Sequence, residues 1–137
     1  MVGVGGVVIE NERALLIRRG SAPLKGEWSI PGGMLEIGET IVQGVQRELL
    51  EETAVETEVL DLIEVFERIS TDDAGRPRYH FVILDYLCRF AGGTPRAGSD
   101  VTDVAWVMEP ELERYSLTAT ATRVIRTAFQ MARERKS

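Results

Sequence analysis

Short apolar runs separated by polar turns dominate the chain. The runs VGVGGVVI and ALLIRR, joined by the polar segment ENER, predict two opening strands. Three later runs, VETEVLDLIEVFERIS, YHFVILDYLCRF and VTDVAWVM, alternate or are rich in β-branched and aromatic residues, which predicts three more strands. The stretches GSAPLKGEW, TDDAGRPR and AGGTPRAGSD contain Gly, Pro, Ser or Asp, which is typical of turns and loops. In WSIPGGMLE, the proline and the double glycine predict an edge or bent segment.

The apolar period changes to a helical one after Thr40. Thr40 is a suitable N-cap, and apolar residues then recur every four positions, which predicts a helix ending near Thr53. The predicted buried stripe consists of Ile41, Val42, Val45 and Leu49. SLTATATRVIRTAFQMARER predicts a closing amphipathic helix. Strands with two helices favour the α+β class, with a mixed or antiparallel sheet covered by helices.

Composition limits the function classes. With 137 residues and 44% apolar content, we expect one globular domain over residues 1–137. The opening MVGVGGVVIENE lacks the basic flank of a signal peptide and the length of a membrane span, so no membrane partner is expected. A single cysteine, Cys88, excludes an intramolecular disulfide and favours a cytoplasmic location. A net charge of −6 disfavours nucleic-acid binding through a basic surface.

Three glutamates crowd the end of the predicted helix. At about 100° per residue, Glu48 and Glu52 fall on or beside the buried stripe and Glu51 lies further round. Charge clusters are usually solvated faces, but uncompensated carboxylates on a buried face are costly. Arg47 can pair with Glu51 at i, i+4, yet the wheel places it away from Glu48 and Glu52, which leaves those two without a counter-charge. Such a spacing of carboxylate oxygens suits Mg²⁺ or Mn²⁺.

These residues belong to a longer pattern. Gly33, five residues, Glu39, seven residues and then RELLEETAV closely resemble the Nudix box of the Nudix hydrolases. Ala54 departs from that pattern, since the family has glycine there; alanine in a left-handed backbone costs roughly 1 kcal/mol, which indicates a changed turn rather than lost chemistry. The resemblance covers most of the chain and implies the family's α/β/α sandwich around a mixed central sheet.

The resemblance also implies roles for individual residues. Glu48 and Glu52 would be the principal metal ligands, with Glu51 a further ligand or a contact to a metal-bound water and the carbonyl of Gly32 an additional ligand; the ion would be Mg²⁺, or Mn²⁺. Arg47 would orient the glutamates. Outside the box, Asp100 resembles the distal acid that some members use as a ligand or base, although a loop-capping aspartate is an equally good interpretation. The catalytic set implied in this way is Glu51, Glu52, Arg47 and Asp100.

The substrate implied by the resemblance is a nucleoside diphosphate linked to another moiety. The opening strands and RYHFVILDYLC are similar to small ADP-ribose pyrophosphatases, and dimers are frequent in that group, so a homodimer is also compatible. Four residues are candidates for substrate binding or for ordinary packing: Phe66, Arg68, Tyr79 and Trp28. The alternatives are a (deoxy)nucleoside triphosphate pyrophosphohydrolase and a non-catalytic module that binds nucleotide-sugars. An isoprenoid diphosphate isomerase would need a catalytic cysteine, and Cys88 lacks a supporting context.

Overall fold

The computed structural model describes residues 1–21 and 24–136. Its seven strands are β1 (Val2–Glu10), β2 (Arg13–Arg19), β3 (Trp28–Ser29), β4 (Gly32–Met34), β5 (Glu56–Thr71), β6 (Pro77–Gly92) and β7 (Val101–Met108). Its helices are α1 (Ile41–Thr53), a 3-10 helix (Glu109–Tyr115) and α2 (Ala119–Lys136). The predicted strands and both α-helices are therefore present, and the 3-10 helix directly follows β7.

β1 is at the centre of a mixed sheet. The strand order is β3-β2-β1-β6-β5, with β4 also paired to β1 and β7 paired to β2. β1 runs parallel to β6 and antiparallel to β2 and β4, and β5 and β6 form a long antiparallel hairpin. Gly5 of β1 is opposite Gly32 of β4 on one side and opposite Asp85 of β6 on the other. This pairing brings three distant parts of the sequence together around the central strand.

Alternation along β1 divides the core into two layers. Val4 and Val8 pack toward α1 with Val45 and Leu49, whereas Val7 packs toward α2. The α2 layer also contains Leu16, Leu87, Val124, Ile125 and Phe129. A sheet with one helix layer on each face is the α/β/α sandwich, so the predicted fold class is confirmed.

Both ends of α1 follow from the local sequence. The Thr40 hydroxyl accepts a hydrogen bond from the Gln43 backbone N–H at 3.1 Å, and the Gln43 side chain accepts one from the Thr40 N–H at 2.9 Å, which is a capping box. At the other end Ala54 has φ of 59°, the left-handed conformation in which glycine is usually found. Val42 is exposed, so its place in the predicted buried stripe is wrong; the helix buries a narrower face.

No helix of the described residues is long and apolar enough to cross a membrane.

Candidate active site

Glu48 and Glu52 both lie against the double glycine of β4. One carboxylate oxygen of Glu52 accepts a hydrogen bond from the Gly32 backbone N–H at 2.8 Å. Glu48 lies over Gly33, where a Cβ would come within 2.5 Å of a Glu48 carboxylate oxygen. Glu52 is 9% exposed and the Glu48 side chain 13%, while the Glu51 side chain is 48% exposed. The inward orientation predicted for Glu48 and Glu52, and the outward one for Glu51, are confirmed.

Arg47 connects the acidic side chains of this region. Its guanidinium donates to Glu39 at 2.6 and 3.0 Å, to Glu48 at 2.8 Å and to Glu51 at 3.3 Å. It also donates to the Met34 carbonyl at 2.9 Å, which ties α1 to the end of β4. The expectation that Glu48 has no counter-charge is therefore wrong, because a helical wheel places Cβ atoms and ignores the reach of an arginine side chain.

Burial makes these carboxyl groups costly to ionise. It raises the pKa of Glu52 from the ordinary 4.5 to about 7, with the Gly32 N–H opposing the rise and the charge of Glu48 adding to it. Burial also raises the pKa of Glu48, even though Arg47 opposes this. In contrast, the hydrogen bond from Arg47 lowers the pKa of Glu39. The two carboxyls that face the double glycine thus bind protons more tightly than free glutamates, as expected where a cation would otherwise neutralise them.

The donor chemistry of this cluster fits a hard divalent cation. In the described part of the chain, no three His, Cys, Asp or Glu side chains stand together as a ready-made metal site. Glu48 and Glu52, however, are buried one turn apart, and a third carboxylate, Glu51, is beside them at the surface. Carboxylate and carbonyl oxygens are the ligands that Mg²⁺ and Mn²⁺ prefer, so these residues fit such an ion.

A cavity of about 310 Å³ opens beside the double glycine, on the α2 side of the sheet. Gly32 and Gly33 line it, and so do three of the four predicted substrate-binding residues: Trp28, Phe66 and Arg68. Trp28 also packs edge-to-face on Tyr115, with 5.0 Å between the ring centroids. The three glutamates of α1 are absent from the described lining, so the double glycine separates them from the cavity.

Tyr79, the fourth predicted substrate-binding residue, is exposed and is absent from the described lining. It shares a face of β6 with three residues that line the cavity, Phe81, Ile83 and Asp85. Because each residue adds about 3.4 Å along a strand, Tyr79 lies beyond the rim of the cavity, further along the β5–β6 hairpin. Its ring is 6.2 Å from that of Phe81 and beneath the guanidinium of Arg78. A substrate-binding role for Tyr79 stays a prediction.

Asp100 is exposed in the loop between β6 and β7, and its carbonyl accepts a hydrogen bond from Gly20 at 2.6 Å. The same loop is fixed to the end of α1, where Gly98 donates to the Glu52 carbonyl at 3.2 Å and Arg96 donates to the Thr53 carbonyl at 3.0 Å. These bonds satisfy carbonyls that a helix end leaves unpaired. They hold Asp100 near the acidic helix, and its role in the reaction stays a prediction.

Asp85 is a candidate that sequence reasoning missed. It lines the cavity, is 5% exposed and lies on β6, two residues before the buried Leu87. Burial raises its pKa from 3.8 to about 6, with the charge of Glu64 adding to the rise and that of Arg68 opposing it. The available signal was an acidic residue inside the most apolar strand of the chain, since lone carboxylates are rarely buried without a reason.

Comparisons with known proteins place the whole arrangement in one family. Residues 1–128 match the model of the NUDIX domain. A MutT-like protein of Streptomyces ambofaciens is 35% identical over 90% of this chain and 74% of its own length. An ADP-ribose pyrophosphatase of Methanocaldococcus jannaschii is 34% identical over 74% of this chain, which spans only 58% of that relative. The crystal structure of a MutT NUDIX hydrolase from Burkholderia pseudomallei superposes with a TM-score of 0.77, at 29% identity, over 92% of this chain and 95% of the other. The chain therefore belongs to the Nudix hydrolase family and is a Nudix pyrophosphohydrolase.

Proposed function

We propose that the protein hydrolyses the diphosphate bond of a nucleoside diphosphate linked to another moiety, with ADP-ribose as the substrate. Buried Glu52 and largely buried Glu48 converge on Gly32 and Gly33, which line a cavity of about 310 Å³, and this convergence is the main support for the proposal. That volume is at the lower end of the range for small-molecule sites, roughly 300–1,000 Å³. The relative from Methanocaldococcus, named as an ADP-ribose pyrophosphatase, supports this choice of substrate.

Glu48 and Glu52 would hold the divalent cation, with Glu51 and the carbonyl of Gly32 as further ligands. Bound there, Mg²⁺ or Mn²⁺ would neutralise phosphate charge and lower the pKa of an attacking water. Arg47 keeps Glu48 in place and restrains Glu51, while the Gly32 N–H fixes one oxygen of Glu52 and leaves the other available. These contacts hold the carboxylates in position before a ligand arrives, so little reorganisation is needed on binding.

Glu51 and Asp100 are the two candidates for the base that takes a proton from water. Glu51 is half-exposed and its carboxylate is 3.3 Å from the Arg47 guanidinium, so it can reach solvent. Asp100 is exposed on a loop that hydrogen-bonds to the end of the same helix. Replacing each by the corresponding amide separates them, because loss of the base lowers kcat far more than it raises KM.

Aromatic and basic residues of the cavity suit a nucleotide. Trp28 and Phe66 offer apolar rings against which a base can stack, and Arg68 offers a guanidinium for a phosphate. The chain carries a net charge of −6, so phosphate binding here depends on local cations and on the bound metal rather than on the overall field. Tyr79 would join this set only if a long substrate extends past the rim.

A substrate panel tests the proposal. Purified protein is incubated with Mg²⁺ or Mn²⁺ and with ADP-ribose, other nucleotide-sugars, dinucleotides and nucleoside triphosphates, and the products are separated by chromatography. The proposal predicts AMP and ribose 5-phosphate from ADP-ribose as the dominant reaction. Dominant release of pyrophosphate from a triphosphate would instead favour the pool-cleaning alternative. Tight binding of ADP-ribose without any turnover would identify a non-catalytic module.

The homodimer and the cytoplasmic location stay predictions. The outer edge of β5 exposes Leu62, Val65 and Ile69 at the end of the sheet, which is the kind of unpaired strand edge that a second copy can cover. Sedimentation at micromolar protein concentration distinguishes a monomer of 15.2 kDa from a dimer.

A further inference from the structure

Asp85 lies deep in the cavity wall with no hydrogen-bond partner among residues 1–21 and 24–136. Its neighbours on the same face of β6 are Ile83, which also lines the cavity, and Leu87, which belongs to the α2 core. A carboxylate in such surroundings costs free energy unless something binds it. The acidic cluster of α1 does not include it, because Asp85 lies on the face of the sheet that packs toward α2.

Gly5 leaves the space that the Asp85 carboxylate occupies. A Cβ at Gly5 would collide with the Asp85 carboxylate oxygen Oδ1 and would also come within 3.1 Å of the Pro31 carbonyl. Any other residue at position 5 would therefore displace the carboxylate or push β1 away from the loop before β4. The sequence thus combines a buried acid on one strand with the absence of a side chain on the next.

The charged groups around Asp85 do not neutralise it. Glu64, its partner across β5 and β6, is itself held by two hydrogen bonds from Arg123, at 3.1 and 2.6 Å. Arg68 lines the same cavity and lowers the pKa of Asp85 only through long-range attraction, without a hydrogen bond. The carboxylate is therefore available to a ligand that enters the cavity and carries N–H donors.

The position of Asp85 relative to the double glycine limits what that ligand can be. Gly5 pairs with Gly32 on one side and with Asp85 on the other, so two strand spacings, about 10 Å, separate the ends of this cavity. One end is beside the acidic cluster, where phosphates would bind. The other is at β6, where Phe66, Phe81 and the first turn of α2 line the cavity and from where the Asp85 carboxylate reaches back over Gly5. A nucleotide with its phosphates at the first end would place its base at the second.

We propose that Asp85 is a specificity-determining residue that accepts a hydrogen bond from the exocyclic amino group of the substrate's base, an inference that rests on the proposed function for the identity of the substrate. Bases that carry an amino group would be preferred to hypoxanthine and uracil, which present a carbonyl at that position and would face the carboxylate with an acceptor. The aromatic residues of the cavity would contribute affinity by stacking on the base, and Asp85 would determine which base is preferred.

Kinetics on two matched substrates test whether Asp85 selects the base. ADP-ribose and inosine diphosphate ribose differ in the six-position of the purine, where one has an amino group and the other a carbonyl. The wild type should prefer ADP-ribose in kcat/KM, and Asp85→Ala should reduce that preference by about 10- to 100-fold, the usual effect of losing a specific base contact. Asp85→Asn is the matched control: its amide can turn its oxygen to an amino group or its NH2 group to a carbonyl, so it should accept both substrates and lose most of the preference while keeping activity on ADP-ribose. An equal loss on both substrates in Asp85→Ala would overturn the proposal.

Binding of the products separates this inference from the proposed function. Calorimetry with AMP and IMP needs no turnover, and thermal unfolding of each variant verifies that it is folded. The wild type should bind AMP more tightly than IMP, and Asp85→Ala should bind the two alike. Equal binding of both by the wild type, or binding of neither, overturns the role of Asp85. If the selectivity is present and depends on Asp85 but ADP-ribose is not hydrolysed, the proposed function fails and the role of Asp85 stands.

Discussion

The burial of Glu52 predicts that a variant of the metal site folds more stably than the wild type when metal is absent. Burial raises the pKa of Glu52 from 4.5 to about 7, so its ionised form is unfavourable in the folded protein. At about 1.36 kcal/mol per pKa unit, the difference corresponds to about 3 kcal/mol of lost stability. Below pH 4.5 the carboxyl is protonated whether the chain is folded or not and the loss disappears; it grows as the pH rises and is complete above pH 7.

Glu52→Gln removes this charge and keeps the shape. The amide oxygen can still accept the hydrogen bond that the Gly32 N–H gives to Glu52 at 2.8 Å. In EDTA at pH 8 the variant should therefore be more stable by about 3 kcal/mol, which for a chain of this size is roughly 10 °C in Tm. At pH 4.5 the two proteins should melt together. Adding Mg²⁺ at pH 8 should stabilise the wild type and leave the variant almost unchanged, because only a protein that binds the ion gains stability from it.

Thermal and urea unfolding, followed by circular dichroism at both pH values, provide the measurement. Glu51→Gln is the matched control, since it removes the adjacent charge from a side chain that is 48% exposed and should change stability by less than about 0.5 kcal/mol. If Glu52→Gln is less stable than the wild type in EDTA at pH 8, or if the difference in stability does not depend on pH, then the Glu52 carboxylate is not destabilised by its burial.

Three other changes test neighbouring contacts. Ala54→Gly should stabilise the protein by about 1 kcal/mol, because φ at this position is 59° and an alanine backbone is strained there. An unchanged free energy of unfolding in urea would show that Ala54 is not strained. Gly33→Ala should weaken Mg²⁺-induced stabilisation, because the new Cβ would lie 2.5 Å from the Glu48 carboxylate and displace it; normal Mg²⁺ binding by calorimetry would show that Mg²⁺ does not need Glu48 in its present position. Arg47→Lys keeps the positive charge but loses the planar guanidinium that reaches three carboxylates, so kcat should fall at least about tenfold. A kcat equal to that of the wild type would show that only the charge of Arg47 matters.

Local patterns predicted the elements that depend on local physics. Thr40 and the four-residue spacing of Ile41, Val45 and Leu49 were sufficient to place α1, because caps and helical faces involve only nearby residues. The inward orientation of Glu48 and Glu52 followed from the same spacing. Val42 was predicted wrongly because periodicity indicates which face of a helix is apolar, but not how much of that face the neighbouring sheet covers.

Contacts between distant segments were not accessible in the same way. The hydrogen bond from Arg47 to Glu48 depends on a long side chain that turns back along the helix. Asp85 becomes a cavity residue only because β6 pairs in parallel with β1 and meets a glycine there, a register that joins residues 80 positions apart. Such pairings are set by the whole sheet, whereas the sequence shows each strand alone.

Hydrolysis of ADP-ribose by the wild type and by Glu52→Gln, at saturating Mg²⁺ and pH 8, tests whether α1 holds the catalytic metal. Glu113→Gln is the control, since Glu113 is exposed on the 3-10 helix and absent from the described cavity lining. We expect AMP and ribose 5-phosphate from the wild type and the control, no product in EDTA, and a rate for Glu52→Gln lower by at least about 100-fold, as for loss of a metal ligand. Full activity of Glu52→Gln would contradict a metal site on α1.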